Sequence, residues 1–194
     1  MCLYGRWRIG GLLVVLLTFV SACGSDPMPK PRGYFRLNFP EKQYRVLDSI
    51  FPYRFQYPAY GRIAADMTRG ADKNSINLDF PGYKARVHIS YKDVGGNLDA
   101  LIEDSRNLAY KHTIKADAIN EKLFSNEENR VYGVLYDIRG DAASSLQFYA
   151  TDSVRHFIRG ALYFHCRPNK DSLAPAVDFF GKDLVHLMET IEWK

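Results

Sequence analysis

The sequence predicts an α+β fold, an antiparallel β-sheet covered by helices. Three observations predict it. Residues 144–166 (SSLQFYATDSVRHFIRGALYFHC) read as two β-rich runs around the turn formers Thr151-Asp152-Ser153, a hairpin pattern with room for a bulge. Shorter alternating runs recur upstream, each stopped by proline or a turn. The apolar period then lengthens from two to 3.6 in two places, residues 97–112 and 174–192. The 14% aromatic content, 13 Tyr and 12 Phe, fits a β-rich core rather than a helical bundle.

The hairpin is the centre of the expected sheet. In its second run, period two places His156, Ile158, Gly160, Leu162, Phe164 and Cys166 on one face and Phe157, Arg159, Ala161, Tyr163 and His165 on the other. One face is apolar and the other mixed, as for a strand inside an antiparallel sheet with one wetter side. Gly160 at its centre implies a bulge or a close approach by a neighbour. Cys166, on the apolar face, is expected to be a buried, slow-reacting thiol.

The remaining elements follow in order. Residues 34–39 alternate Phe35, Leu37 and Phe39 against Tyr34, Arg36 and Asn38, giving a strand stopped by Pro40. Residues 53–57 form another, closed by Pro58, and residues 75–80 and 85–92 form a pair joined through Pro81-Gly82. In the latter, Ala85, Val87, Ile89 and Tyr91 face inward, which leaves His88 solvated. The first helix has Asn97 as N-cap and Asp99 in its first turn. Strands over residues 118–124 and 131–139 precede the hairpin. A turn at residues 167–171 leads to the last helix, whose stripe is Phe180, Leu184, Leu187, Met188 and Ile191.

The chain begins with a targeting segment, residues 1–22. Arg6 and Arg8 precede an apolar run over residues 9–20, shorter than the about 20 residues a spanning helix needs. The run ends in Val20-Ser21-Ala22-Cys23, which resembles a bacterial lipobox, with Cys23 as the lipid-attachment residue. Residues 23–33 are then the lipidated cysteine and a Pro-rich tether, and residues 34–194 a single α+β domain. With Cys2 lost and Cys23 lipidated, Cys166 has no disulfide partner. Removal of Arg6 and Arg8 reduces the net charge of +4 to +2, too little for the clustered basic face of a nucleic-acid binder.

The search for chemistry turns up little. His88, His112, His156, His165 and His186 lie in no metal-binding spacing, and no cofactor or dinucleotide motif is present. Asp152, Ser153 and His156 suggest a hydrolytic cluster, but without a nucleophile elbow they read as turn chemistry. No catalytic, cofactor or metal residue is assigned, and no small-molecule substrate is implied. The mixed face of the central strand, Phe157, Arg159, Tyr163 and His165, is the candidate partner-docking surface, provided no helix covers it.

Two resemblances add to this reading. The element order, with Phe55-Gln56-Tyr57-Pro58 in an extended strand, a mid-chain helix, a meander and a closing helix, resembles the sandwich of photosystem II protein P and the Ran-binding Mog proteins. More specific are residues 29–44 (PKPRGYFRLNFPEKQY), 110–119 (YKHTIKADAI), 147–164 (QFYATDSVRHFIRGALYF), 168–175 (PNKDSLAP) and 189–194 (ETIEWK). These resemble the gliding motility lipoprotein GldD family, across essentially all of the chain after the leader. That resemblance implies a non-enzymatic structural or assembly component of the gliding machinery and the associated type IX secretion system. It also implies an anchor in the cell envelope through Cys23, at the outer membrane facing the periplasm, with other envelope proteins of that apparatus as partners. An envelope-anchored solute-binding module is the alternative, since folds of this shape offer a cavity between sheet and helix.

Overall fold

A seven-stranded antiparallel sheet forms the middle of the molecule, in the order β3-β4-β5-β9-β8-β7-β6. Its strands are β3 (Arg62–Ala65), β4 (Ile76–Phe80), β5 (Ala85–Asp93), β6 (Ala116–Asn126), β7 (Val131–Gly140), β8 (Ser144–Thr151) and β9 (His156–Phe164). A smaller antiparallel sheet contains β1 (Tyr44–Leu47), β2 (Tyr53–Pro58) and β10 (Glu192–Trp193), with β2 in the centre. Two helices complete the fold, α1 (Leu98–Tyr110) and α2 (Lys170–Glu189). This computed structural model describes residues 38–67, 70 and 72–194. The leader, the tether and residues 34–37 of the first expected strand lie outside the described residues.

The α+β class is as the sequence predicts, and β9 lies inside the sheet between β5 and β8. Its two faces feed two separate cores. Ile158 and Leu162 join Phe55, Ile76, Phe80, Val87, Ile89 and Phe148 beneath Phe180, Leu184, Leu187 and Met188 of α2. Phe157 joins Val134, Tyr136, Ile138 and Tyr149 beneath α1, where Leu98, Leu101, Ile102 and Ala109 pack. Gly160 marks a close approach. It pairs directly with Phe148 of β8, and a Cβ at Gly160 would stand 2.1 Å from the Phe148 ring.

Three short edge elements depart from the expectations. Residues 38–39 are not in a strand, although Phe39 stacks on Phe179 at 4.2 Å. The strand in this region is β1, which buries almost nothing and so shows no alternation. β3 is likewise a mostly exposed edge strand. The last helix starts a turn early and ends early. The Asn169 side chain accepts from the Ser172 N–H at 3.0 Å, so α2 starts ahead of Pro175 rather than beside it. At its other end Ile191 turns into the core, fully buried, and Glu192 and Trp193 pair with β2.

A buried polar knot fastens the start of the described chain to α2. Asp183 is 3% exposed, and Lys42 Nζ pairs with it at 2.8 Å. The hydroxyls of Tyr44 and Tyr60 donate to the same carboxylate. Lys42 also donates to the Phe179 carbonyl at 2.9 Å and stands over the Phe179 ring. Burial outweighs Asp183 in setting the Lys42 ammonium below its ordinary value. Burial and Asp183 together push the Tyr44 phenol up to about 12. A carboxylate between Phe180 and Leu184 on an apolar stripe is a visible sequence signal for such a knot.

Candidate functional site

The four residues of the candidate docking surface meet different surroundings along β9. Phe157 is core. It is 3% exposed and stacks on Tyr149 at 5.4 Å beneath α1, so it drops out of any docking surface. Arg159, two residues on, is half-buried, and its Nη2 donates to Gln147 Oε1 at 2.8 Å. Burial pulls its guanidinium down from the ordinary value, with Tyr163 and Asp104 acting in the opposite sense. Tyr163 is half-buried and meets His88 edge-on at 5.6 Å. His165 is exposed, past the end of the strand.

The difference along the strand comes from α1, which covers the Phe157 end only. Beyond it the sheet face opens into a cavity of about 540 Å³ lined by His88, Arg159, Ala161, Tyr163, His165 and Cys166, among others. His88 is therefore a half-buried lining residue rather than a solvated one. Burial, and then Arg86, lower its imidazole below the ordinary value. A second cavity of about 170 Å³ lies under α1, and Arg159 borders both. Gln147, 1% exposed, has no acceptor for its Nε2, so the site contains a buried donor that sequence reasoning did not single out.

Cys166 is exposed, contrary to the expected burial. β9 ends at Phe164, and the Cys166 N–H folds back to the Phe164 carbonyl at 2.8 Å. Strand alternation no longer governs a side chain in that bend.

At the other end of the hairpin, Asp152 and His156 have structural partners. Asp152 Oδ1 accepts from the backbone N–H groups of Val154, Arg155 and His156 at 3.0, 2.8 and 2.8 Å. Burial favours the neutral acid, yet these three bonds outweigh it and lower the Asp152 pKa. His156 is 5% exposed, bonds Tyr91 Oη through Nδ1 at 2.8 Å and stacks on Trp193 at 5.2 Å. The turn chemistry read from Asp152-Ser153 is thus what the fold uses here.

With this geometry established, comparison with known proteins places the chain. The family model described as "Gliding motility lipoprotein GldD" matches residues 24–193, starting at the residue after Cys23. The chain belongs to the GldD family. Family membership makes it a gliding motility lipoprotein, as the residue strings of the sequence imply. No curated protein matches the chain significantly. Among solved structures, the solution structure of cyanobacterial PsbP (CyanoP) from Synechocystis sp. PCC 6803 is similar over 87% of this chain and 100% of its own, at 11% sequence identity and a TM-score of 0.49. The printed description of the family names no enzymatic activity.

Proposed function

We propose that the protein is a lipid-anchored assembly component of the gliding machinery and its associated type IX secretion system, held by Cys23 at the outer membrane and facing the periplasm. The observation that supports this reading is the GldD match over residues 24–193 directly behind the Val20–Cys23 lipobox. Among the described residues no helix is long and apolar enough to cross a membrane. In this reading the domain acts by docking other envelope proteins rather than by catalysis. Tyr163 and His165, with the edge of Arg159, form the docking surface, and Phe157 packs beneath α1 at the other end of the strand.

Deletion of the gene, scored for both colony spreading and protein secretion, tests the role: loss of both is expected, and normal spreading with normal secretion refutes it. Cys23→Ala should abolish incorporation of a fatty-acid probe, and equal labelling of the variant would refute the anchor. For the docking surface, Tyr163→Ala with His165→Ala should lose co-purifying envelope proteins while the thermal midpoint falls by only about 2–4 °C. Hot-spot side chains of this type contribute about 2 kcal/mol or more each.

A further inference from the structure

The open end of the sheet holds a cation withdrawn from water without a counter-ion. Among the described residues, Arg54, Arg86 and Arg139 each pair with a carboxylate, and Arg106 lies 3.8 Å from Glu121. Arg45, Arg62, Arg130, Arg155 and Arg167 have no such pair but are exposed, where water suffices. Arg159 has neither remedy. It is half-buried, and its side-chain hydrogen bond goes to the neutral Gln147 amide. Asp104, exposed on α1, acts on it only from beyond ion-pair distance. A cation so placed carries a desolvation cost that a neutral partner offsets only in part.

The donors around it all lack the same thing. Gln147 gives its oxygen to Arg159, and its own buried Nε2 is left with no acceptor. The guanidinium keeps further N–H donors in the fork that matches two oxygens of one oxyanion. Beside it the row from β5 through β9 to β8, His88–Ala161–Gln147, puts the smallest side chain in the middle, and the space above Ala161 is the cavity. Its volume of about 540 Å³ falls in the range of small-ligand sites.

The local charge selects among oxyanions. Arg86 is matched by Asp79, burial keeps His88 toward its neutral form, and Arg159 is the one Lys or Arg in the cavity lining, without a carboxylate. One charge suits a monoanion with two equivalent oxygens better than a dianionic phosphate. The walls contributed by Ala143, Ala161, Tyr163 and Pro168 suit a compact, partly apolar body. We infer that this cavity binds a carboxylate-bearing ligand, with the carboxylate on Arg159 and its body over Ala161 against Tyr163. The inference does not depend on the assembly role, and it is read on purified protein rather than in cells.

Cys166 at the rim provides a reporter. The full chain, purified in detergent, is treated with hexanoate, with acetyl-trialanine bearing a free carboxylate, and with the amide of each, at constant ionic strength. The thermal midpoint is measured together with the alkylation rate of the Cys166-containing peptide by mass spectrometry. A carboxylate should raise the midpoint and slow alkylation several-fold, and its amide should do neither. A response to hexanoate alone identifies a free small acid, and a response to the peptide acid alone identifies a chain terminus. Either result supports the site. Arg159→Gln should weaken the response about tenfold or more. Ala143→Trp, at an exposed rim position that leaves the core untouched, should block it even where Arg159→Gln fails to fold. The inference is overturned by any of three results: no carboxylate responds at millimolar concentration, amides respond equally, or Ala143→Trp binds as wild type.

Discussion

The two faces of the seven-stranded sheet are built for different purposes. Toward α2 the face is dry and aromatic, with Phe80, Phe164 and Phe180 in ring contact and Tyr53 and Phe55 closing it from β2. Toward α1 the apolar cluster occupies one end, and Gln147, Arg159 and His88 stand beside Ala161 at the other. Helix length accounts for much of this. The 20 residues of α2 span about 30 Å and the 13 of α1 about 20 Å, so α1 leaves the Tyr163 end of β9 bare. Stability is concentrated on the covered face, and the half-covered one carries the surface proposed for recognition.

The sharpest test of that contrast compares one aromatic from each side. Phe180→Ala, at 1% exposure, should cost about 3–5 kcal/mol in urea unfolding, whereas Tyr163→Ala at the open end should cost about 1 kcal/mol. Equal losses would mean that both faces stabilise the fold alike. Next in size is the knot under α2. Asp183→Ala leaves Lys42 buried without its carboxylate and should cost about 2–3 kcal/mol, less than for a fully buried pair because the Lys42 side chain keeps 27% exposure. A change within about 0.5 kcal/mol would show that the knot holds nothing.

Gly160→Ala probes the dry face from within the sheet. The added Cβ meets the Phe148 ring, so a loss of about 1–3 kcal/mol is expected, and combining it with Phe148→Leu should recover part of the loss. No recovery would place the strain elsewhere.

The smallest effect is on pH dependence, and it separates two neighbours at the hairpin turn. His88, His112 and His156 are all held below the ordinary imidazole value, first by burial. The unfolded chain therefore binds more protons near its ordinary pKa of about 6.5, and stability falls as pH drops through and below that value. Asp152 has a lowered folded pKa, so its contribution is present above the unfolded value of about 3.9 and is lost as pH falls through the folded one. Urea midpoints should thus decline between about pH 7.5 and about pH 5.5 in wild type and decline less in His156→Gln, while Asp152→Ala, which removes the carboxylate that raises the His156 pKa against burial, should steepen that slope. An unchanged slope in His156→Gln would remove the buried imidazole from the account.

Much of the molecule is legible from local pattern. Period two in residues 85–92 and 156–164 assigns the faces of β5 and β9, and period 3.6 assigns the buried stripe of α2, because each regular element repeats its side-chain direction along its own length. The Asp152 turn is legible for the same reason, since its bonds run to its own neighbours. The Val20–Cys23 tetrad and the GldD strings are likewise properties of the linear chain. Tertiary structure decided what depends on distant partners. β1, β3 and β10 exist because a neighbouring strand offers them an edge, and they bury too little to leave a periodic trace. Cys166 is exposed because β9 stops two residues before it. Phe157 is core and Tyr163 is not because α1, more than 40 residues upstream of both, lands on one and falls short of the other. The same non-local placement leaves Arg159 without a carboxylate, for no residue carries in its own sequence the position at which a helix from elsewhere will end.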